Sequence, residues 1–319
     1  MHMKPHYLVT GGAGFVGSVV SKKLIEQGAD VTIIDNCSNG KESNLPEGVR
    51  FIKGDLADIK IYTALNEKYF DAVLHIAAQA SNAISFRDPA RDLLDNQMST
   101  IHLLEYARRT GTKRFLFTSS MSAYGQPKNF PTTEDEPLVP ESPYAIHKAA
   151  SEQYLRVYAK EFGLDWTTFR LYTTYGSSQN LDNLDQGLLS IYLAYLIKKI
   201  PVVVKGNLDR KRDIVHVNDV ADAIVSTIDR PNTFGKTYNM CSGTSLTIRK
   251  LLDALMKEVG EDPATYPVTV QAGTPGDPPV THGSHEAASR DFGFAPKVDP
   301  YTGISLTVQQ LLARAETIR

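Results

Sequence analysis

Tyr144 and Lys148 stand four residues apart in the segment SPYAIHK, residues 142–148. Ser142 suits a helix N-cap and Pro143 the first helical position, so we predict that a helix begins here. Residues i and i+4 share one face of a helix, which brings the phenol and the ammonium together. A nearby positive charge lowers a tyrosine pKa from its usual value near about 10. The pair predicts a general base, although this spacing also occurs on exposed helices.

A second candidate segment is FTSSMSAYG, residues 117–125, which ends a predicted strand. Ligands bind at the carboxyl ends of strands in open parallel sheets. A hydroxyl at this position can hydrogen-bond the substrate oxygen that Tyr144 deprotonates. Without Tyr144 and Lys148, the same segment would be an ordinary serine-rich loop.

Glycines dominate the segment YLVTGGAGFVGS, residues 7–18, directly after the first apolar run. The pattern Gly12-x-Gly14-x-x-Gly17 between a strand and a helix is typical of dinucleotide binding. Glycines let backbone N–H groups approach a pyrophosphate, and the helix N-terminus adds partial positive charge. The glycines alone are also compatible with a tight strand–turn–helix connection.

Asp35 decides between these two interpretations of the glycines. It ends the second predicted strand, where a carboxylate accepts hydrogen bonds from the ribose hydroxyls of an adenosine. A carboxylate would repel a 2′-phosphate, and no Arg or Lys follows until Lys41. The sequence therefore predicts an NAD site rather than an NADP site.

The elements that must position these residues alternate between strands and helices. Predicted strands are Tyr7–Thr10, Asp30–Asp35, Arg50–Lys53, Asp71–Ile76, Arg114–Ser119 and Asp165–Leu171. Predicted helices between them include Gly14–Gln27, Asp88–Arg109 and Pro143–Phe162. This alternation predicts an α/β fold, a doubly wound parallel sheet with helices on both faces.

After Gly176 the sequence changes character. A polar loop, Gln179–Gln186, precedes a predicted helix at Leu188–Lys199 and predicted strands at Ile200–Gly206 and Asp213–Val217. Predicted helices follow at Val220–Asp229 and Ile248–Val259. We predict a first domain of residues 1–176 and a second of residues 177–319, with residues 213–229 as a segment that can return to the first.

Composition excludes several classes of protein. The 319 residues carry a net charge of −2, which gives no bulk attraction to nucleic acid or to anionic membranes. Two cysteines, Cys37 and Cys241, are too few for a disulfide framework or a multi-cysteine zinc site, so no metal is expected. No apolar run reaches the length of a membrane span, and Met1–Lys4 lacks a signal-peptide core. We therefore expect a cytoplasmic protein.

The motifs TGGAGFVG, HIAAQAS, TSSMSAYG and SPYAIHK, with Asp35 after the first of them, resemble the extended short-chain dehydrogenase/reductases. Within these, the chain is similar to the NAD-dependent nucleotide-sugar epimerase/dehydratase group, of the UDP-glucose 4-epimerase kind. The resemblance implies a Rossmann sheet followed by a smaller C-terminal α/β substrate domain. It also implies a homodimer formed through the two long helices.

Matching positions carry the roles that the family implies. The cofactor-binding set is Gly11, Gly14, Phe15, Val16, Gly17, Asp35, Asn36, Asp55, Leu56, Ala77, Ala78, Gln79, Asn96, Tyr144 and Lys148. The catalytic set is Ser120, Tyr144 and Lys148, and the substrate-binding set is Ser120, Ser122, Thr173 and Arg212.

Departures from the family pattern narrow the reaction. Nucleotide-sugar 4,6-dehydratases carry an acidic pair after the catalytic hydroxyl, where this chain has Met121 and Ser122. Water elimination therefore lacks its proton carriers. Thr173 replaces a substrate-contacting Asn, and Thr274 replaces an Arg expected to bind the diphosphate. Alternative phosphate partners are Lys205, Arg210 and Lys211.

Histidines give weaker signals. His75 and His216 lie in apolar strands, so we interpret them as packed and hydrogen-bonded rather than as metal ligands. His147, one residue before Lys148, is predicted to lie on the surface of its helix, although its position would also allow it to flank the site. Tyr154 and Tyr158 follow helical spacing and are expected to pack in a core or a helix–helix interface.

Three functions stay open at this point. The first is a 4-epimerase for a nucleotide sugar, with a UDP-hexose as substrate and a 4-keto intermediate. The second is another sugar-nucleotide enzyme of the same fold, a ketoreductase, decarboxylase or 5,6-type dehydratase. The third is a non-catalytic NAD sensor, which the Tyr144 and Lys148 pair argues against because a sensor needs no base.

Overall fold

A computed structural model describes residues 4–317 of the chain. The initial Met1–Met3 lies outside the described residues. The strands are β1 (His6–Thr10), β2 (Asp30–Asp35), β3 (Arg50–Lys53), β4 (Ala72–His75), β5 (Arg114–Ser120), β6 (Asp165–Leu171), β7 (Thr173–Tyr175), β8 (Val202–Lys205), β9 (Lys211–His216), β10 (Lys236–Met240), β11 (Ser245–Thr247) and β12 (Val268–Gln271).

The α-helices are α1 (Phe15–Glu26), α2 (Asn82–Arg87), α3 (Pro89–Asp92), α4 (Ser99–Thr110), α5 (Pro143–Phe162), α6 (Leu188–Ile197), α7 (Val217–Ser226), α8 (Ile248–Glu258), α9 (Glu286–Phe292) and α10 (Pro300–Thr317). Helical backbone continues between α3 and α4 through a π-helical stretch, Leu93–Met98. The predicted helix Asp88–Arg109 is therefore present, with a π turn in its middle, a feature often found at functional sites.

Seven parallel strands form the main sheet, in the order β10-β6-β5-β4-β1-β2-β3. The predicted doubly wound parallel sheet is confirmed. Two apolar clusters cover its faces: one packs α1 and α7 against the sheet, and the other packs α4 and α5. The order reverses beside β1, and ligands bind at such a switch point in open α/β sheets.

Several elements after residue 176 belong to the main sheet. Strand β10 pairs with β6 at its edge, and α7 packs against α1. Arg114, which is buried on β5, stabilises the position of the segment after α7 by donating to the carbonyl oxygens of Thr227 (2.7 Å) and Ile228 (2.7 Å). Strand β10 was not predicted, because its polar residues Lys236, Thr237 and Asn239 interrupt the apolar alternation that is typical of a strand.

The remaining elements form a smaller region. Strands β11, β9 and β7 make one sheet, β8 and β12 another, and a third apolar cluster packs α6, α8 and α10 around them. The register places Thr173 of β7 beside Ile214 of β9. Among residues 4–317, no helix is long and apolar enough to cross a bilayer.

Candidate active site

One large cleft, of about 760 Å³, lies along the carboxyl ends of the main-sheet strands. Nearly every residue predicted for a site lines it. The predicted residues on its wall are Gly11, Gly14, Phe15, Val16, Gly17, Asp35, Asn36, Asp55, Leu56, Ala77, Ala78, Gln79, Ser120, Ser122, Tyr144, Lys148, Thr173 and Arg212.

The glycine loop lets α1 approach β1 closely. A Cβ on Gly17 would lie 2.1 Å from the carbonyl oxygen of Gly11, and one on Gly11 would lie 2.7 Å from the backbone of Ala77. Gly11 also has a positive φ of 73°. Helix α1 has no side-chain cap at Gly14, so the first N–H groups of the helix are available at the cleft. This arrangement is a ready-made site for a phosphate anion.

Asp35 lies at the end of β2 beside this helix terminus. Its carboxylate accepts the backbone N–H of Ala13 (3.0 Å) and of Cys37 (2.8 Å). These bonds orient the carboxylate and leave lone pairs free, since an ionised carboxylate accepts about four hydrogen bonds. The free acceptor lone pairs of Asp35 and the glycine loop fit a dinucleotide whose ribose carries free hydroxyls.

The catalytic candidates meet where β5 and α5 lie side by side. Lys148 is buried, and its Nζ donates to the carbonyl oxygen of Thr118 (2.8 Å) and lies 4.8 Å from the ring centroid of Phe117. The Nζ lies 6.0 Å from the ring centroid of Tyr144. The predicted i, i+4 geometry is therefore present inside the cleft.

Burial shifts the pKa of both groups. It raises the pKa of Tyr144 to about 12. The facing Ser120 hydroxyl has the opposite effect and lowers this pKa. Burial lowers the pKa of Lys148 to about 7. Both shifts have the same cause, because a buried environment disfavours the charged form of each group. A positive charge brought beside Tyr144 would offset its shift.

Ser120 ends β5 and caps the short helical turn that follows, where its Oγ accepts the N–H of Ser122 (3.1 Å). Ser122 and Met121 both line the cleft. The two positions after Ser120 therefore present a thioether and a hydroxyl to the cleft, and neither can carry a proton as a carboxylic acid would.

Arg212 lies on the opposite wall, on β9. Its Nη2 contacts both carboxylate oxygens of Asp277, each at 2.8 Å, and Arg210 pairs with the same carboxylate. Arg210, Lys205 and Lys211 do not line the cleft, and neither does Thr274. The structure therefore gives no support to the first three as phosphate partners.

Asn96 differs from its predicted place. It is buried behind the cleft wall, where its amide donates to the carbonyl oxygen of Gln79 (3.0 Å) and to Asp92 (3.0 Å). Asn96 thus supports the segment that lines the cleft and is not itself on the wall, because these two hydrogen bonds turn its amide toward the interior.

His147 also differs from prediction. It is buried, not on the surface, and its Nδ1 lies 2.6 Å from the Asp92 carboxylate. This contact gives the imidazole a polar partner inside the protein, which a position on a solvated helix face would not need.

The remaining predicted side chains fall mostly where expected. Tyr158 is packed as expected, whereas Tyr154 is 39% exposed and so does not pack in the core of this chain. His75 is packed as expected and contacts the hydroxyls of Thr10 (2.8 Å) and Thr100 (3.0 Å). His216 is buried and its Nδ1 accepts the N–H of residue 218 (3.2 Å). None of these four side chains lines the cleft.

Sequence reasoning missed a set of polar residues that close one end of the cleft. We call residues 177–187 the strap. Asn39, in the loop after β2, accepts hydrogen bonds from the amides of Asn180 (3.1 Å) and Asn183 (2.8 Å) and donates to Gln186 (3.1 Å). No sequence motif predicts these contacts, because they join segments more than 100 residues apart.

Arg91 on α3 was also missed by sequence reasoning. It lines the cleft, and its guanidinium contacts the carboxylate of Asp55 (2.6 Å) at the rim. A lone arginine on a short polar helix gives no local signal, and only the approach of α3 to the loop after β3 brings it to the cleft.

Known proteins share this arrangement of motifs. The family model described as "NAD dependent epimerase/dehydratase family" matches residues 7–241. UDP-glucose 4-epimerase of Mycolicibacterium smegmatis is 33% identical over 310 residues, which are 95% of this chain and 97% of the relative.

Two solved structures are similar over nearly the whole chain. UDP-glucose 4-epimerase of Thermotoga maritima, solved with UDP-glucose, has a TM-score of 0.92 and 34% identity, covering 98% of this chain and 100% of that one. UDP-glucose 4-epimerase of Thermus thermophilus, solved with NAD, has a TM-score of 0.88 and 34% identity, covering 96% and 99%.

The close approach at Gly17 generates a stability prediction. We expect Gly17→Ala to lower the free energy of unfolding by about 2 kcal/mol, because the added Cβ must push α1 away from Gly11. Urea unfolding followed by circular dichroism measures this. Lys22→Ala, on the exposed side of α1, is the control and should change the value by less than about 0.5 kcal/mol. Equal stability of the two variants would contradict the packing argument.

Proposed function

The chain belongs to the NAD dependent epimerase/dehydratase family, and on that basis we propose that it is an NAD-dependent nucleotide-sugar 4-epimerase acting on a UDP-hexose. The observation that carries the proposal is the meeting of Ser120, Tyr144 and Lys148 in the cleft that the glycine loop and Asp35 also line. The names of the similar epimerases support the same activity.

Cofactor and substrate are proposed to bind on opposite walls of this cleft. Residues 1–176 supply the cofactor side, with the α1 terminus at the pyrophosphate and Asp35 at the adenosine ribose. Residues 177–319, with Thr173 just before them, supply the substrate side. Arg212 is the proposed partner of the nucleotide diphosphate, with Ser120 and Ser122 near the sugar.

Tyr144 is proposed as the base that takes the proton of the sugar 4-hydroxyl, while Ser120 shares the hydrogen bond to that oxygen. Bound NAD would supply reversible hydride exchange at C4 and a positive ring near the phenol. Lys148, held by Thr118, keeps an ammonium beside the phenol and favours the phenolate. Tyr144 then returns its proton to the 4-oxygen once the 4-keto sugar has presented its other face.

Product analysis tests the reaction type. We expect a UDP-hexose, among a panel of UDP-, GDP-, CDP- and dTDP-sugars, to be converted to an isomer of the same mass with no net NADH. Mass spectrometry and NMR identify the product. Stoichiometric NADH change, loss of water or loss of CO₂ would instead favour the reductase, dehydratase or decarboxylase alternatives.

Removal of the base tests the role of Tyr144. We expect Tyr144→Phe to lower kcat by at least about 100-fold, because a positioned acid/base contributes that much or more. Steady-state kinetics on the converted UDP-sugar measure it. Tyr158→Phe, on the same helix and outside the cleft, is the matched control. Near-normal turnover of Tyr144→Phe would refute the assignment.

A homodimer is proposed from an exposed apolar surface. On α5, Ile146 and Val157 are 51% and 54% exposed, and Leu93 and Leu94 on the adjoining helical segment are 42% and 40% exposed. The two helical segments pack against each other. Exposed apolar surface of this kind marks interaction sites.

Light scattering coupled to gel filtration tests the dimer. We expect twice the chain mass for the unmodified protein and a single chain mass for Val157→Glu, because a carboxylate would be buried in the contact. Ile59→Glu, at a 61% exposed position on another surface, should remain dimeric. A monomeric unmodified protein would overturn the proposal.

We also propose a cytoplasmic location. Cys37 and Cys241 carry free thiols, which is typical of proteins in a reducing compartment.

A further inference from the structure

Asp92 is a carboxylate buried completely behind the cleft wall. Its Oδ1 accepts the amides of Gln79 (2.6 Å) and Asn96 (3.0 Å), and its Oδ2 lies 2.6 Å from Nδ1 of His147. Burying a carboxylate is costly unless hydrogen bonds compensate it. Three partners at these distances satisfy that requirement, so the position of Asp92 is tightly determined.

The partners of Asp92 come from two sides of the active site. Gln79 belongs to the segment that lines the cofactor part of the cleft, and its side chain also accepts the N–H of Ser81 (2.6 Å). His147 precedes Lys148 on α5. One carboxylate therefore joins the cofactor wall to the helix that carries the catalytic tyrosine and lysine.

Two carboxylates, those of Asp92 and Glu152, act on Lys148, and they differ in their hydrogen-bond partners. Glu152, on the same helix, is held by Arg170 of β6 through two hydrogen bonds (3.0 and 2.7 Å) and by Ser119 (2.6 Å). An arginine thus neutralises the charge of Glu152. The partners of Asp92 are two amides and an imidazole.

Other titratable groups lie near this cluster. His75 on β4 faces Lys148 from the sheet side, and Asp95, which pairs with Arg91, faces Asp92 from the next helical turn. Burial raises the pKa of Asp95 and lowers that of His75 to about 3, so His75 stays neutral near neutral pH. Asp95 pairs with Arg91 and Glu152 pairs with Arg170. Asp92 is held by two amides and an imidazole instead.

We propose that Asp92, held in place by His147, is a positioning residue that sets the charge environment of Tyr144 and Lys148. The inference rests on the proposed function of that pair. A fixed negative charge favours the ammonium of Lys148 and the neutral phenol of Tyr144, so it acts on both protonation equilibria in the same direction.

The direction of the effect follows from the sign of the charge. Burial lowers the pKa of Lys148 and raises that of Tyr144, and the Asp92 charge raises both. Removing the charge must therefore lower both pKa values. Both limbs of the rate profile, which report these two groups, must therefore move to lower pH.

Asp92→Asn removes the charge with little change of shape. In the NAD-free protein, we expect NMR titration of ¹³C-labelled lysine side chains to show the Lys148 midpoint lowered by about 0.5–1 pH unit. Lys148→Met assigns the resonance. Asp30→Asn, at an exposed site at the start of β2, is the control and should leave the midpoint unchanged.

Rate profiles extend the test to turnover. We expect both limbs of kcat/KM for Asp92→Asn to move to lower pH by a similar amount. A fall in kcat with an unmoved Lys148 midpoint would show a merely structural role and overturn the proposal. Because the NMR titration needs no substrate, a lowered midpoint in a protein that epimerises nothing would refute the proposed function alone.

Variants of His147 test whether this residue holds Asp92 in place. They also test the proposal if Asp92→Asn does not fold. We expect His147→Leu to lower kcat about tenfold with little change in KM, because the carboxylate loses a donor and shifts. His147→Gln keeps an N–H donor and should restore most of the rate. Equal losses in the two variants would contradict the assignment.

Discussion

The contact between α5 and the carboxyl end of β5 is the constraint on which the site depends. Lys148 reaches the carbonyl oxygen of Thr118, and one helical turn later Glu152 receives the hydroxyl of Ser119 and the guanidinium of Arg170. A cation and an anion are thereby buried on one helix face, each with its own partner. Such burial is costly, and removing one partner of a buried pair leaves an uncompensated charge. The hydrogen bonds that compensate it hold α5, and with it Tyr144, against the carboxyl end of β5.

The second wall of the cleft depends on Asp213, the residue after Arg212. Its buried carboxylate accepts the N–H groups of Ser242 (2.8 Å), Gly243 (3.1 Å) and Gly283 (3.1 Å). These bonds join β9 to the turn after β10, which holds Ser242 and Gly243, and to the loop before α9, which holds Gly283. The position of Arg212 is therefore coupled to the edge of the main sheet, and residues of the main sheet and of the smaller region line the same cleft.

Burial moves the pKa values of Tyr144 and Lys148 in opposite directions. A phenol near pKa 12 and an amine near pKa 7 are both driven toward neutrality by the same dry environment. The fixed charges that remain nearby decide how far each is driven. One such fixed charge is Asp92, whose carboxylate contacts His147, 55 residues away in the chain.

Local patterns in the sequence determined the parallel sheet and singled out the glycine loop, Asp35 and the set of Ser120, Tyr144 and Lys148 as candidates, because these rest on the alternation of elements and on spacing within short segments. Tertiary structure decided the rest. It placed Asn96 behind the wall and His147 in the interior, because the spacing of residues along a helix does not say which face another element will cover. It brought Asn39 to the strap and returned β10 to the sheet edge. These contacts join residues far apart in the chain, and their energy comes from burial and hydrogen bonds that exist only after the chain has folded.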